Sequence, residues 1–430
     1  MNDEFPEALQ IEVTNKCNFN CKMCIRQVWN ARLLDMNITL YRKIAKECFS
    51  KLRRLVLYGF GEPLTHPQII EMFHIARKNL PEDGEIIVST NGSLITSEIA
   101  DKIVREIGVD SVSFSIDTIS QAKLSRIREG SDFKLIAKNI RGLAKTKDKA
   151  KRNFKLGLET VIMKDNFLEI PELLKFAAFN DVDYIIASHV VPYTKEIFAE
   201  ATYLTLSKPA IEILKPSLKH GWRLIRESVL ELFGRAYGVK IEATSTQLIK
   251  SFWTEAEKKG YWINLPLLLS STEKLDMLSH IEKVFHISEK VAHEYQIDLR
   301  LPKIYVDANE RRCPYIEKRT IVIRSDGKVS PCQEFMYNHS VYVNAHKKDL
   351  HEVIFGDLTK ERVEEVWRQD AYTNFKEIRW DMAKNMPWCG DCPYSALGCF
   401  YTRTNDVDCY ANMPTCSECL YSVGLAQCNI

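Results

Sequence analysis

From residue 8 to about 193, short apolar runs alternate with amphipathic stretches, and this rhythm restricts the fold more than any other feature of the chain. The runs are 9–14 (LQIEVT), 54–59 (RLVLYG), 85–90 (EIIVST), 111–117 (SVSFSID), 155–162 (KLGLETVI) and 184–191 (YIIASHVV). Each has the length of a buried strand rather than of a helix. Between them, 39–50, 67–79, 96–106, 134–146 and 169–180 carry helical periodicity, with start signals at Thr39, Thr96 and Pro171. Strands that alternate with helices predict a parallel sheet, open or curled into a partial barrel. Such folds bind ligands at the carboxyl ends of their strands. The unusual residues stand there: Thr14 before a cysteine loop, Gly59 to Pro63, Ser89 to Gly92, Ser115 with Asp117, and His189.

The cysteine loop is Cys17-x3-Cys21-x2-Cys24. Three thiolates on one tight loop hold three irons of a cubane cluster and leave the fourth iron open to another ligand. A zinc loop completed from a distance is the bland alternative, because structural zinc takes four ligands. Of the 13 cysteines, Cys48 sits alone in an amphipathic stretch and reads as core. The other nine, Cys313, Cys332, Cys389, Cys392, Cys399, Cys409, Cys416, Cys419 and Cys428, fall in the last 120 residues.

The net charge of +2, from 59 basic and 57 acidic side chains, gives no general electrostatic case for nucleic acid or membrane. The first ten residues (MNDEFPEALQ) lack the apolar region of a signal peptide, and no run approaches a membrane span. A cytoplasmic location is therefore expected, where cysteine clusters indicate metal rather than disulfides. The basic stretch 145–155 reads as a solvated turn.

Three domains are expected: a barrel over 1–195, a helical insertion over 196–302 and a cysteine-rich domain over 303–430. Within the insertion, helical spacing runs through 205–235, 245–259 and 272–294, and Trp222, Trp253 and Trp262 read as core. The last domain is expected to hold strands at 304–307 and 320–324, a turn at Ser325-Asp326-Gly327, a short strand ending at Cys332 and a helix near 359–376. The tail from 386 is too irregular for a core of its own and needs metal to hold it together.

One strand after the cysteine loop stands Gly59-Phe60-Gly61-Glu62-Pro63, whose glycines admit a close ligand and whose glutamate suits an ammonium group. Together with the loop it resembles the radical SAM superfamily, which binds S-adenosylmethionine at the open iron. Ser89-Thr90-Asn91-Gly92, Ser115-Ile116-Asp117 and Ile127-Arg128-Glu129-Gly130 match further elements of that family. The resemblance implies that the Gly59–Pro63 turn holds the methionine amino group and that Arg128 reaches its carboxylate, a partner suited to a guanidinium fork. It implies contacts to carboxylate or ribose from Ser115 and Asp117. Met23 stands where the family often has an aromatic residue beside adenine; a thioether also packs on a ring. The implied chemistry is one-electron cleavage of S-adenosylmethionine to a 5′-deoxyadenosyl radical. His189 and Tyr193 are acid–base candidates by position only.

Cys313-x13-Gly327-x4-Cys332 and Cys389-x2-Cys392-x6-Cys399 are similar to the SPASM extension, which carries two auxiliary clusters. That resemblance implies one cluster on Cys313, Cys332 and Cys409 and another on Cys389, Cys392 and Cys399, with Cys416, Cys419 and Cys428 unassigned. A zinc site on Cys389, Cys392, Cys416 and Cys419 would leave five cysteines unexplained. The stretch from Asp408 to Leu420 (DCYANMPTCSECL) looks like the end of the tungsten cofactor oxidoreductase maturases, and 23–29 (MCIRQVW) also suits them. The expected fold is α/β, a partial (β/α)6 TIM-like barrel with a helical insertion and a small irregular iron–sulfur C-terminal domain. The expected cofactors are S-adenosylmethionine, one 4Fe–4S cluster with an open iron and two auxiliary 4Fe–4S clusters. Expected partners are an electron donor such as ferredoxin or flavodoxin, and a tungsten or molybdenum pterin oxidoreductase. Radical modification of a peptide or protein side chain is the alternative, and a non-catalytic iron–sulfur electron carrier is the alternative of another class.

Overall fold

The computed structural model describes residues 5–150, 152–215, 238 and 244–430. Its frame is one ten-stranded sheet. In chain order the strands are β1 (Ala8–Ile11), β2 (Arg54–Val56), β3 (Glu85–Thr90), β4 (Ser111–Ser115), β5 (Lys155–Ile162), β6 (Tyr184–His189), β7 (Asp298–Arg300), β8 (Thr320–Ile323), β9 (Lys328–Ser330) and β10 (Gly356–Asp357). Their spatial order is β10-β9-β8-β1-β2-β3-β4-β5-β6-β7. Every neighbouring pair from β8 to β7 is parallel, whereas β9 and β10 add antiparallel at the β8 edge. The six strands expected from the sequence form the centre of this sheet, a partial TIM-like barrel.

Alternation along each strand separates two environments. Leu9, Ile11, Leu55, Ile86, Val88, Val112, Phe114, Leu156, Leu158 and Ile185 join the main hydrophobic core under the helices. The intervening residues face inward, and many are polar: Gln10, Glu12, Ser89, Ser113 and Glu159. A packed TIM barrel fills its interior with branched apolar side chains. This interior is built to hold something else.

Part of that interior is taken by the chain itself. Residues 425–430 run along the inner face from the top of β6 to the bottom of β2. Leu425 O accepts from His189 N at 3.1 Å, Gln427 N donates to Ser188 Oγ at 3.0 Å, and Asn429 Nδ2 donates to Glu159 Oε1 at 2.9 Å. Ile430 O then accepts from Arg54 NH1 at 2.9 Å and Lys318 Nζ at 2.6 Å.

Several expectations are revised. Residues 304–307 form no strand; Val306 makes a single bridge to Ser207. The strand is Asp298–Arg300 instead, a half-exposed edge whose polar sequence (DLR) carries no alternation. The helix expected near 359–376 is two helices, Val363–Arg368 and Asp370–Trp380, broken where Gln369 is extended. The break lets Trp367 and Tyr372 meet edge to face at 5.3 Å inside the core. Trp253 and Trp262 are 43% and 56% exposed rather than core; helix Thr244–Lys258 turns Phe252 and Ala256 inward in place of Trp253. Trp222 and most of 205–235 lie outside the described residues; the described part of that span holds the helix Lys208–Leu214. Helices Thr244–Lys258 and Thr272–Tyr295 do form, the second against the helix Ile170–Ala178 on the outside of the barrel. Cys48 is core, its thiol on Ile44 O at 3.0 Å. Among the described residues no helix is long and apolar enough to cross a membrane.

The β1–β8 pairing makes the C-terminal region part of the barrel wall, with Ile321 wholly buried beside Leu9. Ile321→Ala should therefore destabilise the barrel by about 2–5 kcal/mol. Anaerobic urea denaturation followed by tryptophan fluorescence measures this; an unchanged midpoint would show that the barrel does not depend on β8.

Candidate active site

The cysteine loop leaves the top of β1 and is tied down twice. Glu62 N donates to Lys16 O at 2.8 Å, joining it to the loop after β2. Residues Asn20–Cys21 pair antiparallel with Arg128–Glu129, which sets Cys21 opposite Arg128. Cys17, Cys21 and Cys24 are partly buried, and burial raises all three thiols, Cys21 to about 12. Thiolates there need a positive partner such as iron. Among the described residues no three His, Cys, Asp or Glu groups converge as they would around one metal ion. A cubane instead places each thiolate on its own iron, so the three-cysteine set fits a cluster with one open position.

Glu62 lies at the centre of the neighbouring loops and is only 2% exposed. Its Oε1 accepts from Thr90 Oγ1 at 2.7 Å and Leu64 N at 3.1 Å, and its Oε2 from Asn91 N at 2.6 Å. The carboxylate thus clamps the loop after β2 to the end of β3, and Pro63 starts the short turn that it caps. The glycines serve the same packing. A Cβ on Gly59 would lie 2.5 Å from Glu12 Cγ, and one on Gly61 would overlap the Thr14 carbonyl. They allow the loop to sit against β1, not only close to a ligand. Asn91 Nδ2 donates to Asn18 Oδ1 at 2.8 Å, and Ser89 Oγ to Glu159 at 2.9 Å.

Asp117 and Arg128 form a buried two-bond pair, at 2.7 Å from Nε and 3.0 Å from NH2. Asp117 also accepts from Val161 N at 2.9 Å, which fixes the pair to β5. A cavity of about 200 Å³ opens beside it, lined among others by Met23, Ser115, Arg128, Glu159, Tyr193 and Cys428. His189 borders this space as well. Its ring is held with Nδ1 3.0 Å from Thr202 Oγ1 and Phe285 stacked at 6.2 Å, and burial lowers its pKa to about 3. Tyr193 stays at the cavity, its hydroxyl donating to Glu334 at 3.2 Å.

The C-terminal cysteines form two groups of four. Cys313, Cys332, Cys416 and Cys419 surround a second cavity of about 70 Å³ and act on one another electrostatically. Arg379 Nε lies 3.2 Å from Cys416 Sγ. Cys409 instead feels Cys392 and Cys399, Cys392 feels Cys399, and Cys389 feels Cys392. Cys409 thus neighbours Cys392 and Cys399 rather than the expected Cys313 and Cys332. The reason is the turn around Asp408, whose carboxylate accepts from Tyr410 N, Asn412 N and Thr415 Oγ1 at 2.9, 3.0 and 2.7 Å. That turn leaves Cys409 exposed on the outer side and carries Cys416 and Cys419 inward. Both four-thiol sets suit cubane clusters.

Residues 11–177 match the family model of the Radical SAM superfamily, and residues 313–393 match SPASM, an iron–sulfur cluster-binding domain. The chain is thus a radical SAM enzyme, of a class that uses S-adenosylmethionine with a 4Fe–4S cluster, and it carries an iron–sulfur SPASM domain. Over nearly its whole length it is similar to the tungsten-containing aldehyde ferredoxin oxidoreductase cofactor-modifying protein of Pyrococcus furiosus, at 26% identity across 98% of this chain and 97% of that one. The GTP 3′,8-cyclase of Clostridium perfringens is 30% identical over 184 residues, 41% of this chain and 53% of the cyclase. Among solved structures, Streptococcus suis SuiB bound to S-adenosylmethionine shares the fold with a TM-score of 0.52 at 13% identity, over 87% of this chain and 68% of SuiB. Tagged anSMEcpe with bound AdoMet gives 0.50 at 14%, over 95% and 90%.

Sequence reasoning missed Gln10, Glu12 and Glu159, although each interrupts an apolar run at an inward position. Glu12 is wholly buried and accepts from Phe60 N at 3.0 Å, Ser325 Oγ at 3.4 Å and, closely, Tyr337 Oη. Burial raises its pKa from 4.5 to about 7. The unfolded chain therefore ionises first as pH rises, and stability is lost between pH 4.5 and about 7. Glu12→Gln should flatten that slope by on the order of 3 kcal/mol across the window. Urea denaturation at a series of pH values tests it; identical slopes for the two proteins would refute a protonated Glu12.

Proposed function

We propose that this enzyme cleaves S-adenosylmethionine at the top of the barrel and acts in maturing a tungsten or molybdenum pterin oxidoreductase, or its cofactor. The observation that carries the finer part is the similarity to the Pyrococcus furiosus cofactor-modifying protein, which extends through the C-terminal cysteines rather than stopping at the barrel. S-adenosylmethionine supplies, when bound, the radical that removes hydrogen from substrate. The residues of the chain bind and orient. Backbone groups of Gly59–Gly61 receive the amino group, held in place by Glu62; Arg128, fixed by Asp117, faces the carboxylate; Met23 and Ser115 line the nucleoside side. Glu62 is thereby a positioning residue, since its own oxygens are occupied by Thr90, Asn91 and Leu64. Ferredoxin or flavodoxin is the proposed class of electron donor.

The two C-terminal groups are proposed to hold one auxiliary cluster each. Cys313→Ala and Cys416→Ala should each lower the iron content by about four, and the double variant should lose no more. Adding Cys409→Ala should remove about four further irons. Iron and acid-labile sulfide analysis after reconstitution reads this directly, and additive losses for Cys313 and Cys416 would refute the grouping.

The function itself is tested by adding partners to the reconstituted protein with S-adenosylmethionine and a reductant. A tungsten aldehyde oxidoreductase freed of its cofactor, or the tungstopterin itself, should stimulate 5′-deoxyadenosine formation and emerge changed in mass. Stimulation by a short cysteine-rich peptide and not by either of these would replace the proposal with peptide modification.

A further inference from the structure

Twelve of the 13 cysteines have a place: the N-terminal loop, the two groups of four, and the core thiol of Cys48. Cys428 belongs to none of them. It lies within the segment that runs down the inside of the barrel and lines the same 200 Å³ cavity as Met23, Ser115 and Arg128. Its sulfur is 3.6 Å from the Tyr315 hydroxyl, which also donates to Gln10 Oε1 at 3.0 Å. Tyr193, which also lines this cavity, feels both Cys24 of the cysteine loop and Cys428. Tyr315 in turn borders the cavity enclosed by Cys313, Cys332, Cys416 and Cys419.

Nothing in binding S-adenosylmethionine or in ligating a cluster requires a thiol at this point. Its placement suits another task, because an S–H bond is weaker than a C–H bond and gives its hydrogen atom readily to a carbon radical. Burial raises the Cys428 thiol to about 12, which keeps the hydrogen on sulfur at neutral pH.

We propose that Cys428 is the hydrogen-atom donor of this active site, quenching a carbon radical in the cavity through its S–H bond. The reading rests on S-adenosylmethionine being cleaved there. In the step, the S–H bond breaks homolytically, a C–H bond forms and a thiyl radical remains. One electron, from the same class of low-potential one-electron reductant that starts the reaction, and one proton from solvent restore the thiol. Tyr315 is the positioning residue that holds the sulfur toward the cavity.

The test needs no substrate. The reconstituted protein is incubated in D2O with S-adenosylmethionine and titanium(III) citrate, without added thiols, and the 5′-deoxyadenosine is analysed by mass spectrometry. With no substrate in place, the radical should take deuterium from the exchanged Cys428 thiol, so the wild-type product carries one deuterium. In Cys428→Ala and Cys428→Ser the labelled fraction should fall to background, while iron per chain stays at the wild-type value. Serine keeps the size and the exchangeable proton but holds it in a stronger O–H bond, which separates hydrogen donation from packing. Retention of the label in either variant would overturn the proposal, as would loss of about four irons, which would make Cys428 a cluster ligand. If the wild-type protein forms no 5′-deoxyadenosine at all, the cleavage reading fails and the proposal falls with it.

Discussion

Polar side chains on the inner face of the sheet must find partners, and the arrangement of the molecule follows from how they find them. Gln10 on β1 and Glu12 just after it are wholly buried, where an unmet hydrogen bond costs about 1–3 kcal/mol. Beside Tyr58 and Phe60 just after β2, partners come from more than three hundred residues away in sequence: Gln333 and Tyr315 for Gln10, Tyr337 and Ser325 for Glu12. Glu159 on β5 is met by Ser89, Ser113 and Asn429. The barrel is thus finished from the inside by the cysteine-rich region. β8 adds to its wall by pairing with β1.

The same economy of hydrogen bonds builds the top of the barrel. Glu62 joins three loops by its backbone and side chain, and Asp117 holds Arg128 against β5. Each pair is buried, so removal of one member leaves the other without water to replace it. A preorganised frame of this kind keeps donors and acceptors aimed where a charged ligand binds, without reorganisation when it arrives. It also brings the cysteine loop within reach of both Arg128, through the short Asn20–Cys21 pairing, and Asn91.

Much of this was legible in the chain. The six central strands, the residues at their ends and the separate N-terminal cysteine loop all follow from local patterning, since strand alternation and loop spacing are short-range properties. The edge strand β7 was hidden because an exposed edge needs no apolar rhythm. The break at Gln369 was hidden because only the packing of Trp367 against Tyr372 requires it. His189 was suggested by its place at a strand end, and it does border the cavity, but only the packing of the fold sets its ring against Thr202 and Phe285.

The sequence by itself determined the class of chemistry, because an incomplete cysteine set and the strand-end residues around it are each read within a few positions of one another. It did not decide how the C-terminal cysteines divide. The family resemblance implied that Cys409 belongs with Cys313 and Cys332, whereas the turn around Asp408 leaves it near Cys392 and Cys399. Nor did it set Cys428 apart from its neighbours. Only the path of residues 425–430 through the barrel brings that thiol against Tyr315 and into the cavity that Arg128 also lines, because contacts between distant segments are fixed by the packing of the whole fold and not by local order along the chain.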